Sequence, residues 1–413
     1  MRWLWGLLCL LLVVVYLLAS HQWEVENWVR RLGEGPAAAW SLPYGSRDDG
    51  VVAVGGAVVV ATKEGLVGVR RSSGEELWRR QAPESSSLTV AGSLVVLRER
   101  GRGAIEVVDP ASGVTRWSAP RGSLLITRDA VYVADCCQVV KRGIADGRVL
   151  WRWAGAEAEF PLSFVGGHAP YAPDVGGYLP VKVHGSWALL DTATGAALAG
   201  RWKDYDWYAF AVGRGVAVTD NRPPDGDPRC TVRVHLPGGR ATEVFTGRHD
   251  DGRCTKLFAR AYDVLGAGGR IAVSTQDGRV QLFDLATGRA VWTDASPGVP
   301  IDGDGRTLLV GTSPERGPVR LLDLATGRVI FSVPGLTVSE TSVSGGLVAV
   351  NGEDNGWPTV FVHRIADGKQ VAHIRGRLVG LGEDWVAVDR AWLDSVEFIP
   401  VPPPGGGDRG LNP

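Results

Sequence analysis

Cysteines and clustered carboxylates are the residues in this sequence whose types and spacing could do chemistry. Cys136 and Cys137 are adjacent. Such a pair offers thiol or redox chemistry where a neighbour exploits it, but adjacency alone is not a site, and two partly buried thiols are the plainer reading. Cys230 and Cys254 lie in long polar stretches. In an oxidising compartment they pair as a structural disulfide, and the alternative is two unpaired thiols. Asp302-Gly303-Asp304-Gly305 resembles the start of a calcium loop. Arg306 then stands at the next ligand place and Ser313 where the closing Glu belongs, so the stretch reads as a hairpin turn. Asp225, Asp227, Asp250 and Asp251 enrich neighbouring loops with carboxylates, and a solvated loop is the default. The 7 histidines are scattered with no pair at ligand spacing. No Gly-x-Ser-x-Gly, His-Glu-x-x-His or phosphate-binding glycine loop occurs. No catalytic residue is named on these grounds.

The elements that must position these groups are repeated hairpins. Val280 to Phe283 alternates in polarity, the chain turns at Asp284-Leu285-Ala286-Thr287-Gly288, and an apolar strand carrying Trp292 follows. Asp and Thr bond a turn backbone and Gly accepts a positive φ, so the segment is a β-hairpin. Asp323 to Gly327, Asp191 to Gly195 and Asp109 to Gly113 repeat it, and degenerate copies end at Gly74, Gly147, Gly239 and Gly368. A Trp falls four residues after the Gly at Trp78, Trp117, Trp151 and Trp292, and Phe331 takes that place once. The mean period from Gly74 to Gly368 is about 42 residues, and strands and turns at that period are the signature of a propeller blade. Helical repeats of that length would show a 3.6-residue period, which these segments lack.

The pattern Asp-x-x-Thr-Gly-x-x-x-Trp, preceded by strands, resembles the quinoprotein-type (PQQ-like) β-propeller repeat over residues 36–401. The resemblance implies an all-β propeller of four-stranded antiparallel blades, eight in number. The family includes PQQ-dependent dehydrogenases, which hold a vicinal disulfide against the cofactor, and Cys136-Cys137 looks similar to it. It also includes non-catalytic members such as the assembly-factor lipoproteins of bacterial outer membranes. This chain is shorter than the enzymes, and it has neither an acidic–Asn calcium constellation nor a catalytic Asp context. The resemblance therefore favours the non-catalytic branch, with no cofactor and no enzymatic role. Fold is a safer inference from it than function.

Taken in order, each repeat parses into four strands, with long irregular loops in the fourth and fifth at Gly166–Gly177, Asp220–Arg229 and Arg248–Lys256. By this parse Cys136 and Cys137 lie in a second-to-third strand loop. Cys230 precedes the third strand of the fifth repeat and Cys254 follows its fourth. After eight repeats only three strands remain, Leu378–Leu381, Trp385–Asp389 and Val396–Val401. The isolated strand at Trp40 supplies a fourth, which joins the chain ends in one blade. Counted literally this gives nine blades against the eight of the resemblance. Each repeated Trp stands on the outermost strand of its blade and should wedge against the next.

Net charge is −1 with no charged block, which gives no support for nucleic-acid binding. Residues 1–20 hold an uncharged apolar run, Trp3 to Ala19, just long enough to span a bilayer core. Flanking Trp3, Trp5 and Trp23 suit a retained signal anchor, and Leu18-Ala19-Ser20 is a poor cleavage site, although a cleaved signal peptide is the alternative. Arg2 favours a cytoplasmic N-terminus, with the rest outside the cell membrane or, after cleavage, secreted. Residues 21–35 form a juxtamembrane linker, and residues 402–413, rich in Pro and Gly, a disordered tail. The expectation is a membrane-anchored extracytoplasmic propeller that binds a protein or envelope partner through the loop face of its fourth and fifth repeats. The alternative is a PQQ-dependent dehydrogenase with a site near Cys136-Cys137.

Overall fold

The computed structural model describes residues 38–401 apart from 44–49, 82–85, 100–103, 155–157, 160–176, 184–185, 199–201, 204–208, 213–214, 221–228, 236–240, 249–269, 275–277, 285–286, 304–305, 313–315, 338–340, 391–394 and the single positions 63, 128, 136, 288 and 355. The proposed anchor, linker and tail all lie outside these residues. Among those described there is no α-helix, and no helix long and apolar enough to cross a membrane.

The strands form antiparallel meanders in chain order. The first sheet takes Val51–Val54, Ala57–Thr62, Gly65–Arg70 and Glu76–Arg80. Polarity within a sheet follows position. Second strands such as Ala130–Ala134 and Thr307–Gly311 are buried throughout, because neighbouring sheets cover both faces. Fourth strands such as Thr115–Ala119 and Ala290–Pro297 are mostly exposed, with only a few positions covered. The first strands are innermost: Val51–Val54 touches both Ser86–Ala91 and Arg377–Leu381, and Val299–Gly303 touches Thr341–Ser344.

Among the described residues the strands make nine sheets, eight four-stranded and one three-stranded. That is the literal repeat count and differs from the eight taken from the resemblance. The physical reason is that each hairpin repeat forms a sheet of its own, and the chain ends then combine into one more. In this last sheet Trp40–Pro43 pairs with Ser395–Pro400, with Trp40 opposite Phe398, and Trp385–Arg390 and Arg377–Leu381 follow inward. The three-stranded sheet is the sixth, Arg270–Ser274, Arg279–Asp284 and Ala290–Pro297. Its expected first strand falls in 249–269, outside the described residues.

Apolar clusters fill the seams between consecutive sheets. Trp40, Val58, Val67, Trp385 and Phe398 join the last sheet to the first. Tyr132, Trp151, Leu179 and Leu190 join the third to the fourth. Leu309, Val319, Val348 and Val350 join the seventh to the eighth. Among the described residues the core is thus distributed, one cluster at each of seven seams.

Candidate functional site

Asp191 shows how the repeated turn is built. Its Oδ1 accepts the Ala193 and Thr194 amides at 2.9 and 2.8 Å and the Thr194 hydroxyl at 2.9 Å. The Gly195 amide closes onto the Asp191 carbonyl at 2.8 Å. Asp323 takes the Thr326 amide and hydroxyl at 2.8 and 2.7 Å, Asp284 takes those of Thr287, and Asp109 takes the Ala111 and Ser112 amides. These bonds favour the ionised form. The Thr194 amide holds Asp191 below the usual carboxylate range, the Thr326 hydroxyl does so for Asp323, and the Arg116 guanidinium for Asp109. A carboxylate that is spent on its own turn is no general base for a substrate. The repeated Asp and Thr are structural.

The repeated Trp closes the seam to the next sheet. The Trp292 indole lies over Gly327, where a Cβ would fall 2.8 Å from the ring, and its Nε1–H donates to the Leu324 carbonyl at 2.9 Å. Gly327 has φ 71°, so both backbone conformation and space exclude a side chain there. The arrangement recurs. Trp78 caps Gly113 and donates to the Pro110 carbonyl, Trp117 caps Gly147 and donates to Ile144, and Trp151 caps Gly195 and donates to Thr192. Trp40 does the same across the joined ends, over Gly74 and onto the Arg71 carbonyl at 2.8 Å. In every case the acceptor lies three residues before the capped Gly. Phe331 covers Gly368 without a donor and stacks on His363 at 4.8 Å.

Charged side chains reinforce these seams. Arg80 reaches Glu106 at 2.5 Å, Thr115 and the Gly113 carbonyl on the second sheet. Burial raises the Glu106 pKa, but bonds from Arg80 and Thr115 outweigh it and hold the carboxyl below its ordinary value. Lys141, buried, ties Asp129 and the Thr192 carbonyl of the fourth sheet. Arg320 meets Asp294 at 3.0 Å and the Pro297 carbonyl at 2.7 Å. Arg71 pairs with Asp384 across the joined ends.

The residues singled out for chemistry scatter. Cys136 lies outside the described residues. Cys137 is exposed in the expected loop, where Asp135 accepts the Cys137 and Gln138 amides at 3.0 and 3.1 Å. That is a loop-closing turn with Cys137 at its tip. Cys230 corrects its expected place: it is inside the third strand Arg229–His235, opposite Gly247, because the ladder begins at Arg229. Cys254 lies outside the described residues. Asp302 is in the strand Val299–Gly303, and the chain returns by Thr307, as a hairpin should. Among the described residues no three His, Cys, Asp or Glu side chains gather as metal ligands. The long loops of the fourth and fifth repeats fall almost wholly outside. Sequence reasoning missed the carbonyl acceptors and the Asp294–Arg320 pair, since neither has a residue-type signal.

The family described as outer membrane protein assembly factor BamB matches residues 20–160, 253–332 and 276–391. No curated protein sequence matches. Among solved structures, BamB from Moraxella catarrhalis is similar at 18% identity, covering 82% of this chain and 99% of that one, with a TM-score of 0.41. A eukaryotic initiation factor covers 82% of this chain and 88% of its own at 12% identity and TM-score 0.51, a likeness of fold. The dihydro-heme d1 dehydrogenase NirN aligns at 14% identity over 82% of this chain and 78% of its own, with a TM-score of 0.47. With the repeats, the capped seams and a family match over more than half its length, this chain belongs to the PQQ-like β-propeller repeat family described by the BamB assembly factor.

Proposed function

We propose that the chain is a membrane-anchored, extracytoplasmic scaffold whose nine sheets close into one propeller and whose loops bind a protein of the cell envelope. The observation that carries this reading is where the repeated polar residues go. Asp, Thr, Gly and Trp are consumed in turns and seams, leaving a rigid ring whose variable parts are loops, and loops on a rigid scaffold are where recognition usually resides. Family membership supports it, since the matched description names an assembly factor. Trp3–Ala19 supplies the anchor and places the ring in an oxidising compartment. A Cys230–Cys254 disulfide belongs to the same reading, and peptide mapping without reduction should find the two linked.

The test shortens Pro223–Asp227, the tip of the longest polar loop. Cross-linking of full chain in its own membranes should identify an envelope protein, and the shortened variant should lose it while keeping its melting temperature. Unchanged cross-linking would remove the loops of the fourth and fifth repeats from the reading. Dye-linked alcohol or aldose oxidation after reconstitution with PQQ and calcium would hand the case to the dehydrogenase alternative.

A further inference from the structure

Buried and half-buried cations in this fold are answered by carboxylates. Arg320 has Asp294, Arg390 has Glu397, Arg80 has Glu106 and Lys141 has Asp129. Arg98 differs. It is partly buried, and its Nε is sealed from solvent without a hydrogen-bond partner. Burial lowers its pKa and no neighbouring carboxylate raises it. Taking a charge out of water without a counter-charge is costly, so such a group is retained where something else supplies the partner.

Its place in the fold says where that partner comes from. Leu94–Glu99 is the second strand of the second sheet and runs toward the loop face. At that end Ser87, Arg98, Ile105 and Ala119 stand opposite one another across the sheet, so their side chains share one face. Ile105 and Ala119 pack with Leu124 and Val133 of the third sheet. Arg98 therefore lies at the loop-face mouth of the seam between the two sheets. The other polar groups of the mouth are engaged. The Ser87 hydroxyl donates to the Arg98 carbonyl at 3.4 Å. Across the seam, Asp135 accepts the Cys137 and Gln138 amides and the Gln138 side chain. Arg121 is exposed on the connection from Ala119 to Ser123. Among the described residues, Arg98 and Arg121 against Asp135 leave one positive charge there. Nothing described bonds the two Nη atoms of Arg98, and unlike Nε they are not sealed, so the mouth presents the end of the guanidinium fork. A planar fork with one charge to balance matches a carboxylate, two N–H donors onto two oxygens.

Resting on the envelope-partner reading above, we infer that Arg98 is an anchor of that interface and receives a carboxylate of the partner protein at the loop-face mouth between the second and third sheets. Two readouts of opposite sign separate this from a structural role. Arg98→Met keeps the stem and removes the unanswered charge, so the urea midpoint of the free protein should rise. In its own membranes the same variant should lose the cross-linked envelope protein about thirtyfold, as truncating one side of a desolvated charge pair does. Arg98→Lys keeps the charge without the fork and should recover only part of that yield. Arg152→Gln, which removes an exposed charge from the outermost strand of the third sheet, should leave the yield alone. Sodium acetate and sodium phosphate at equal ionic strength test for a free anion. Acetate should raise the melting temperature of the parent and not of Arg98→Met. A larger rise with phosphate, with capture unaffected by Arg98→Met, would make this a small-anion site and overturn the inference. Lost capture together with a lowered urea midpoint would make Arg98 structural and overturn it too. If Arg98→Met captures as the parent does while the shortened Pro223–Asp227 loop does not, this contact falls and the envelope-partner reading stands. A parent chain that captures nothing removes both.

Discussion

Trp292 does two separable things at its seam: it covers Gly327 and it donates to the Leu324 carbonyl. Trp292→Phe removes the second alone and should cost about 1–2 kcal/mol, the order of a buried carbonyl losing its donor. Trp292→Ala removes both and should cost about 3–5 kcal/mol in urea unfolding. An unchanged midpoint in the Ala variant would make these indoles ornament. The seventh seam already carries the Phe form, since Phe331 stacks on His363. His363 is 7% exposed, its Nε2 has no hydrogen-bond partner, and burial lowers its pKa from 6.5 while the Gly368 carbonyl partly opposes this. A histidine whose pKa is depressed by folding favours the fold in its neutral form. Its contribution is therefore complete above the unfolded value and is lost as pH falls below it. The melting temperature should drop between about pH 7 and 5.5, and His363→Phe, which keeps a ring against Phe331, should flatten that slope. An equal slope in the variant would assign the acid sensitivity elsewhere. The turn carboxylates Asp191 and Asp323, whose values are also depressed, act only in more acid solution, below about pH 4.

Strands and turns were legible because each turn residue type recurs at a fixed offset and strand polarity is local. Asp323, Thr326, Gly327 and Trp292 could be assigned their structural roles from spacing alone. The three leftover strands and the orphan Trp40 also pointed to the joined sheet, because an incomplete blade leaves an edge to be paired. What spacing could not show is contact between elements. Asp294 and Arg320 read as ordinary surface charges in an alternating sequence, yet their side chains are only 7% and 11% exposed and bridge the sixth sheet to the seventh. The Asp294 Oδ1 accepts the Ser296 amide, and Oδ2 faces Arg320. Arg320→Met would strand that carboxylate and should cost about 3–5 kcal/mol, whereas adding Asp294→Leu should recover much of it, because a buried pair is more harmful halved than replaced. A double variant as unstable as the single one would mean that packing, not charge, is lost. The candidate site was less legible still. Loops carry no period, so the sequence marked where recognition should lie without ranking the residues that perform it.

At the scale of the molecule the question is whether the ring behaves as a closed object or as a row of sheets. Repeats that touch only their neighbours unfold as a chain of local units unless the two ends are coupled. Here the coupling is a four-residue strand, Trp40–Pro43, the Trp40 cap on Gly74, its stack on Phe398 at 4.8 Å and the Arg71–Asp384 pair, beside the apolar cluster of Val58, Val67 and Trp385 that the two sheets share. Trp151 offers a matched control, because it caps Gly195 in the same geometry and both indoles are 9% exposed. Each Ala variant should lose about 3–5 kcal/mol of local packing. Their consequences should differ. Trp151→Ala interrupts a seam whose flanking sheets are still held by covalent connection, so the urea midpoint should fall with the slope nearly unchanged. Trp40→Ala leaves an end strand held by its ladder to Ser395–Pro400 and by Leu42, with no covalent link to the sheet it completes. The first and last sheets then become termini, the transition should broaden to a lower slope or split, and limited proteolysis should cut near residues 38–43 before the midpoint is reached. If the two variants unfold with the same slope and the same cleavage pattern, the joined sheet is one seam among several, and the molecule does not depend on closure for its cooperativity.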